Sequence, residues 1–244
     1  MSTRIIIPTC DRPDALTECL VSVKAQTSQE STPYEVVVVD SGALTSAFMQ
    51  NFEQVMFIQS PRDIGFSKAV NLGAKGANAD WIVWLNDDCV VLPLWLNAML
   101  SFMETRPKVG IGVFFFSDCR WPDAGYRVFF YRNEVYPNFG CTSRAAWEKL
   151  NGFDSRFFSY GAETDIGRRC RALGFEVTPV PGARVHHKYL KDAFRKAHVA
   201  RINQQDYEKL RLETYGPESD DNLHWMNEMG EGQSHRTVSK ERTK

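Results

Sequence analysis

A chain of 244 residues, 43% hydrophobic and 24% charged, has globular composition and the length for one large domain with an appendage. Its formal net charge of -1 excludes a global field drawing it to nucleic acid or anionic lipid, so an anionic ligand has to be met by local groups. No apolar run is long enough to span a membrane, the opening Met1-Ser2-Thr3-Arg4 lacks signal-peptide architecture, and the six cysteines form no CxxC pair. These features predict a cytoplasmic protein with neither zinc ribbon nor disulfide framework, and leave peripheral membrane attachment open.

Arg4 to Thr9 reads as a buried strand stopped by Pro8, followed by the polar group Thr9-Cys10-Asp11-Arg12. A helix with Pro13 in its first turn follows, so Asp11 serves equally well as its cap or as a ligand contact. Tyr34 to Val39 is a β-branched strand ending in Asp40-Ser41-Gly42, a second polar tip. A short strand over Val55 to Gln59 leads through Arg62 and Asp63 to a helix with a Phe66, Ala69, Val70, Gly73 face.

Trp81-Ile82-Val83-Trp84-Leu85 then ends abruptly in Asn86-Asp87-Asp88. In an open α/β sheet such a polar tip faces the ligand cleft at the carboxyl edge. Two adjacent carboxylates there call for a divalent cation with oxygen ligands, while capping of the turn before Pro93 is the plain alternative. Strand and helix alternate through this half, as right-handed βαβ units do, which predicts a doubly wound architecture.

A helix over Trp95 to Thr105 and a strand over Val109 to Phe116 follow. The aromatic stretch from Asp118 to Pro137 reads as a hairpin or an irregular segment. Glu163 and Asp165 open a helix that ends near Gly174, where acids are favourable against the helix dipole whatever else they do. Short strands over Phe175 to Pro179 and Ala183 to His186 deliver His186 and His187. A polar, basic helical stretch runs from Lys188 to about Tyr215, and beyond Gly216-Pro217 a flexible tail with almost no core-forming residues is expected.

Taken together, Ile-Ile-Ile-Pro-Thr-Cys-Asp-Arg-Pro, Val-Val-Val-Asp, Ile64-Gly65-Phe66 with Asn71-Leu72-Gly73, Leu85-Asn86-Asp87-Asp88, Gly152-Phe153-Asp154 and the acids before the helix resemble glycosyltransferase family 2, from about Arg4 to about His187. The resemblance implies an α/β fold of GT-A type: a Rossmann-like, mostly parallel central sheet flanked by helices, with a C-terminal helical extension. It divides the chain into a catalytic domain over 1–187 (nucleotide half about 1–90, acceptor half about 91–187), the extension over 188–216 and the tail over 217–244.

The implied activity is inverting transfer of a sugar from a UDP-, dTDP- or GDP-sugar to a glycan, lipid-linked or other hydroxyl acceptor, with Mn²⁺ or Mg²⁺. Pro8, Thr9, Asp11, Arg12, Asp40, Arg62 and Asp63 match positions that line the nucleotide pocket. Asn86-Asp87-Asp88 match the family's DxD position, with Asn86 in place of the first acid and Asp87 expected to help hold the metal and sugar, and Asp88 with His186, chosen over His187, match the metal ligands. Where members have Glu-Asp-x-Asp this chain has Ala162-Glu163-Thr164-Asp165, so Glu163 is expected to be the base, with Asp165 the alternative. Two other functions are weighed: a nucleotide-sugar binding module that has lost turnover, suggested by Ala162 and Glu163, and a nucleotidyltransferase. The glycine-rich phosphate loop that the latter needs after its first strand is missing from Pro8 to Arg12.

Overall fold

The computed structural model describes residues 1–28, 32–120, 125–131, 134–193, 196, 223–230 and 232–235. Its first half runs β1 (Thr3–Thr9), α1 (Pro13–Thr27), β2 (Tyr34–Asp40), α2 (Ser46–Gln50), β3 (Val55–Gln59), α3 (Phe66–Ala74), β4 (Trp81–Trp84) and β5 (Cys89–Val91). After α4 (Trp95–Glu104) come β6 (Val109–Asp118), β7 (Arg127–Tyr131), β8 (Glu134–Tyr136), β9 (Gly140–Ser143), α5 (Arg144–Leu150), α6 (Ala162–Ala172) and β10 (Glu176–His187). Two further strands, β11 (Leu223–Asn227) and β12 (Gly232–His235), are described beyond these.

Strand alternation builds three layers. Ile5 and Ile7 of β1, Val36 and Val38 of β2 and Val83 of β4 pack with Leu16, Leu20 and Val23 of α1 and Met99 of α4. Their neighbours Ile6, Val37, Val39, Ile82 and Trp84 point the other way, into a second core with Val70 of α3, Leu150 of α5 and Ile166 of α6. A period of two that is apolar on both faces is what a sheet covered by helices on both sides requires. Strands β4, β1, β2 and β3 are parallel neighbours, which brings their carboxyl ends to one edge. Antiparallel β9 joins β4 to β6, and β10 runs parallel to β6.

Three expectations are corrected. Pro8 lies inside β1, opposite Val39 of β2. Pairing with β4 ends at Ile6 opposite Trp84, so on that side the missing N–H of Pro8 leaves no ladder bond unmade. The two short strands expected after Phe175 are one strand, β10, with a register irregularity between Val180 and Arg184 that absorbs the turn-like Pro181-Gly182. Within the stretch expected as a tail, β11 pairs antiparallel with β7, and Trp225 is buried in the first core. The helical extension expected over 188–216 lies largely outside the described residues.

Several motifs tie the halves together. Asn71 of α3 donates from Nδ2 to the Phe153 carbonyl at 2.7 Å and accepts from the Phe153 amide at 2.9 Å. The Phe66 amide donates to the Phe158 carbonyl at 2.7 Å, and Gly65 (φ 81°) has no room for a Cβ, which would lie 2.4 Å from that same carbonyl. A left-handed glycine with a carbonyl against it fixes the segment leading into α6.

Candidate active site

The carboxyl edge gathers its polar groups by register. Thr9, the last residue of β1, lies beside Asp40, the last of β2, and the turn after β4 presents Asn86, Asp87 and Asp88. Thr9 donates from Oγ1 to Asp87 Oδ2 at 2.8 Å. The Arg12 guanidinium, from the loop between β1 and α1, reaches Asp87 Oδ1 at 3.3 Å and Asp88 Oδ2 at 3.5 Å. Its other edge holds Asp192 through Nε and Nη2 at 2.8 and 2.9 Å. Arg12, Asp87 and Asp88 are buried; burial and the charge of Asp88 raise the carboxyl of Asp87, with Arg12 and Thr9 opposing.

His187 reaches Asp88 because of where β10 sits. Its register places His187 beside Asp118 of β6 and beside Cys89 of β5, the residue after Asp88. The ring fits between two carboxylates, with Nε2 at 3.2 Å from Asp88 Oδ1 and Nδ1 at 3.5 Å from Asp118 Oδ2. Burial opposes protonation of this imidazole, but the two carboxylates beside it, Asp118 and Asp88, outweigh it and raise its pKa. Burial would raise Asp118, yet the nearby His187 ring and the bonds from Arg120 hold it well below the usual carboxylate range. His186 faces the opposite way, with Nδ1 2.8 Å from Ser117 Oγ. The structure therefore places His187, not the expected His186, beside Asp88, since adjacent residues of a strand point to opposite faces.

Among the described residues no three His, Cys, Asp or Glu side chains form a metal cage. Asp88 and His187 offer one oxygen and one nitrogen donor 3.2 Å apart. Such a pair can serve one ion whose remaining ligands are diphosphate oxygens and water, and so the residues present fit a divalent cation.

The two acids of α6 have different partners. Glu163 is 8% exposed and accepts from the Tyr136 hydroxyl at 3.0 Å. Burial pushes its pKa up to about 7, against the lowering effects of its own amide and of Tyr136. Asp165 is tied to Arg169 at 2.7 Å, and the same guanidinium donates to the carbonyls of Leu150 and Gly152. That network closes the helix pair.

Other expected site residues have local duties. Asp40 accepts from the amides of Gly42 and Leu44 at 2.7 and 2.9 Å, shaping its own turn. Arg62 and Asp11 form an ion pair at the exposed rim, and the Asp63 amide donates to the Ser41 carbonyl at 2.8 Å. Sequence reasoning missed Asp118, Tyr136 and Asp192. Asp118 ends a long apolar strand, the same signal that revealed Asp40, but the other two carry no pattern of their own.

A mostly parallel sheet with paired acids at its carboxyl edge and a buried basic loop beside them defines an α/β protein with its ligand cleft at that edge. The chain belongs to glycosyl transferase family 2, whose profile matches residues 4–177. Among curated relatives, the O-antigen biosynthesis protein RfbC of Myxococcus xanthus is 28% identical over 239 residues, covering 83% of this chain but 18% of that protein. The N-acetylglucosaminyl-diphospho-decaprenol L-rhamnosyltransferase of Mycobacterium tuberculosis is 23% identical, covering 64% of this chain and 67% of the relative. This chain thus spans from about a fifth to about two thirds of these two relatives. Among solved structures, the mannosyltransferase PcManGT of Pyrobaculum calidifontis in complex with GDP-Man and Mn²⁺ superposes with a TM-score of 0.60 at 15% identity, covering 88% of this chain and 65% of that one. The fold is that of GT-A glycosyltransferases.

Proposed function

We propose that this chain transfers a sugar from a nucleotide-diphospho-sugar to an acceptor hydroxyl in a single displacement with inversion. The convergence of Asp88, Arg12 and His187, from three separate segments, on one buried spot at the carboxyl edge of the parallel sheet carries this reading. Thr9 and Arg12 hold Asp87 and Asp88 in place, and Arg12 adds a fixed positive charge beside the diphosphate. A divalent cation held by Asp88 and His187 would compensate the charge that develops on the departing diphosphate. One imidazole and one carboxylate suit Mn²⁺ better than Mg²⁺, which prefers oxygen alone.

On the acceptor side Glu163 takes the proton from the attacking hydroxyl. A buried carboxyl pushed up to about 7 is matched to that work near neutral pH. Asp165 is the weaker choice, because Arg169 holds it in a structural network. The nucleotide-sugar binding module keeps the same donor pocket and differs in lacking turnover. Among relatives, the mycobacterial rhamnosyltransferase is named for a lipid-linked acceptor, which favours a lipid-linked or glycan acceptor here.

The test is thermal stability against UDP-, dTDP- and GDP-sugars with and without Mn²⁺. A ligand at a hundred times its Kd stabilises the native state by about 2.7 kcal/mol. A metal-dependent shift with one donor, lost in Asp88→Asn, supports the reading. No shift with any donor and metal overturns it.

A further inference from the structure

We infer that Tyr136 is a positioning residue for the base: its hydroxyl fixes Oε2 of Glu163 and leaves Oε1 to receive the acceptor proton. The inference rests on the assignment of Glu163 above. Tyr136 closes β8, and its hydroxyl lies 3.0 Å from Glu163 Oε2. The strand that carries it is clamped to α6 on one side of the residue and closed by a backbone turn on the other. Two turns beyond Glu163, Arg171 binds the Glu134 carboxylate at 3.1 Å and the Val135 carbonyl at 3.1 Å. On the other side the Asn138 amide donates back to the Tyr136 carbonyl at 2.9 Å. The hydroxyl is therefore delivered by the backbone rather than by a free side chain.

The chemistry of the donor matters as much as its place. A guanidinium in this position would form a charge-assisted pair, pull the carboxyl down and spoil it as a base. A neutral hydroxyl orients the carboxylate and stabilises its charged form only modestly. The charged neighbours on β8 and α6 are engaged elsewhere, Glu134 with Arg171 and Asp165 with Arg169. The burial that raises Glu163 is thus left largely intact.

The titration uses the full chain labelled with ¹³C at the glutamate side-chain carboxyls and needs no substrate; the transfer profile is read with the donor that the stability screen selects. The Glu163 resonance is identified as the one missing from Glu163→Gln, and its titration is followed in the wild type and in Tyr136→Phe, which keeps the ring. Loss of a donor worth roughly a tenfold preference for the charged form moves the midpoint up by about one pH unit. Transfer by Tyr136→Phe is then about tenfold lower well below that midpoint and recovers at high pH. An unmoved midpoint, or a loss of transfer equal at every pH, overturns the inference and leaves Glu163 as the base. Full transfer by Glu163→Gln overturns the base assignment instead, whatever the titration shows.

Discussion

Glu163→Gln should make the protein more stable above neutral pH while removing transfer. Glu163 is buried, and its pKa rises from 4.5 to about 7 on folding. For an acid raised in the native state, folding retains a proton that the unfolded chain releases between those two values. Stability therefore falls as pH climbs from 4.5 to 7, and the full cost is present above 7. A rise of two to three units corresponds to about 3 kcal/mol. Glutamine keeps the shape and still accepts from the Tyr136 hydroxyl, but it carries no charge to bury. At pH 8 the variant should gain up to about 3 kcal/mol, or about 10 °C in Tm for a chain of this size. The gain should shrink towards zero as pH approaches 4.5. Denaturant midpoints at pH 5, 6, 7 and 8, compared at constant m, measure it. A gain independent of pH, or none at pH 8, would refute the claim that Glu163 is buried as an ionisable base.

Two other substitutions separate the roles of the remaining acids. Asp118→Asn leaves the His187 ring without its charged neighbour at Nδ1 and should weaken Mn²⁺ binding about ten- to a hundredfold, read by electron paramagnetic resonance of free Mn²⁺; unchanged affinity would remove Asp118 from the site. Asp165→Asn releases Arg169 from its pair and loosens its hold on the Leu150 and Gly152 carbonyls. It should cost about 2 kcal/mol of stability while leaving the acid limb of the transfer profile in place; a shifted limb would make Asp165 the base.

What could be read from the chain followed from local pattern. The strand tips at Thr9, Asp40 and Asp88 stood out because an apolar run of strand length ended in a polar group, and a period-2 pattern apolar on both faces specifies a covered parallel sheet. The histidines could not be separated in the same way. In a strand the choice between His186 and His187 depends on which face meets Asp88, and that is set by the register of β10 against β5 and β6, which no local pattern encodes. Leu223-His224-Trp225-Met226-Asn227 is a short run with one large aromatic, but the charged composition around it concealed a strand that needs the edge of β7 to form.

The partners of the acids are the reason Glu163 is the base we propose. Asp88 lies against Arg12 and His187, Asp118 against Arg120 and His187, Asp154 against Arg156, and Asp165 against Arg169. A guanidinium beside a carboxylate favours its charged form and suits it to holding a cation, a ring or a loop, although burial still raises Asp165 against the pull of Arg169. Glu163 is buried with only a hydroxyl and its own amide to favour its charge, which keeps its proton affinity high enough for a base near neutral pH. The replacement of the usual aspartate by glutamate adds one methylene to the reach of that carboxylate. The clamp of Arg171 on β8 supplies the tyrosine that keeps the longer side chain in one place.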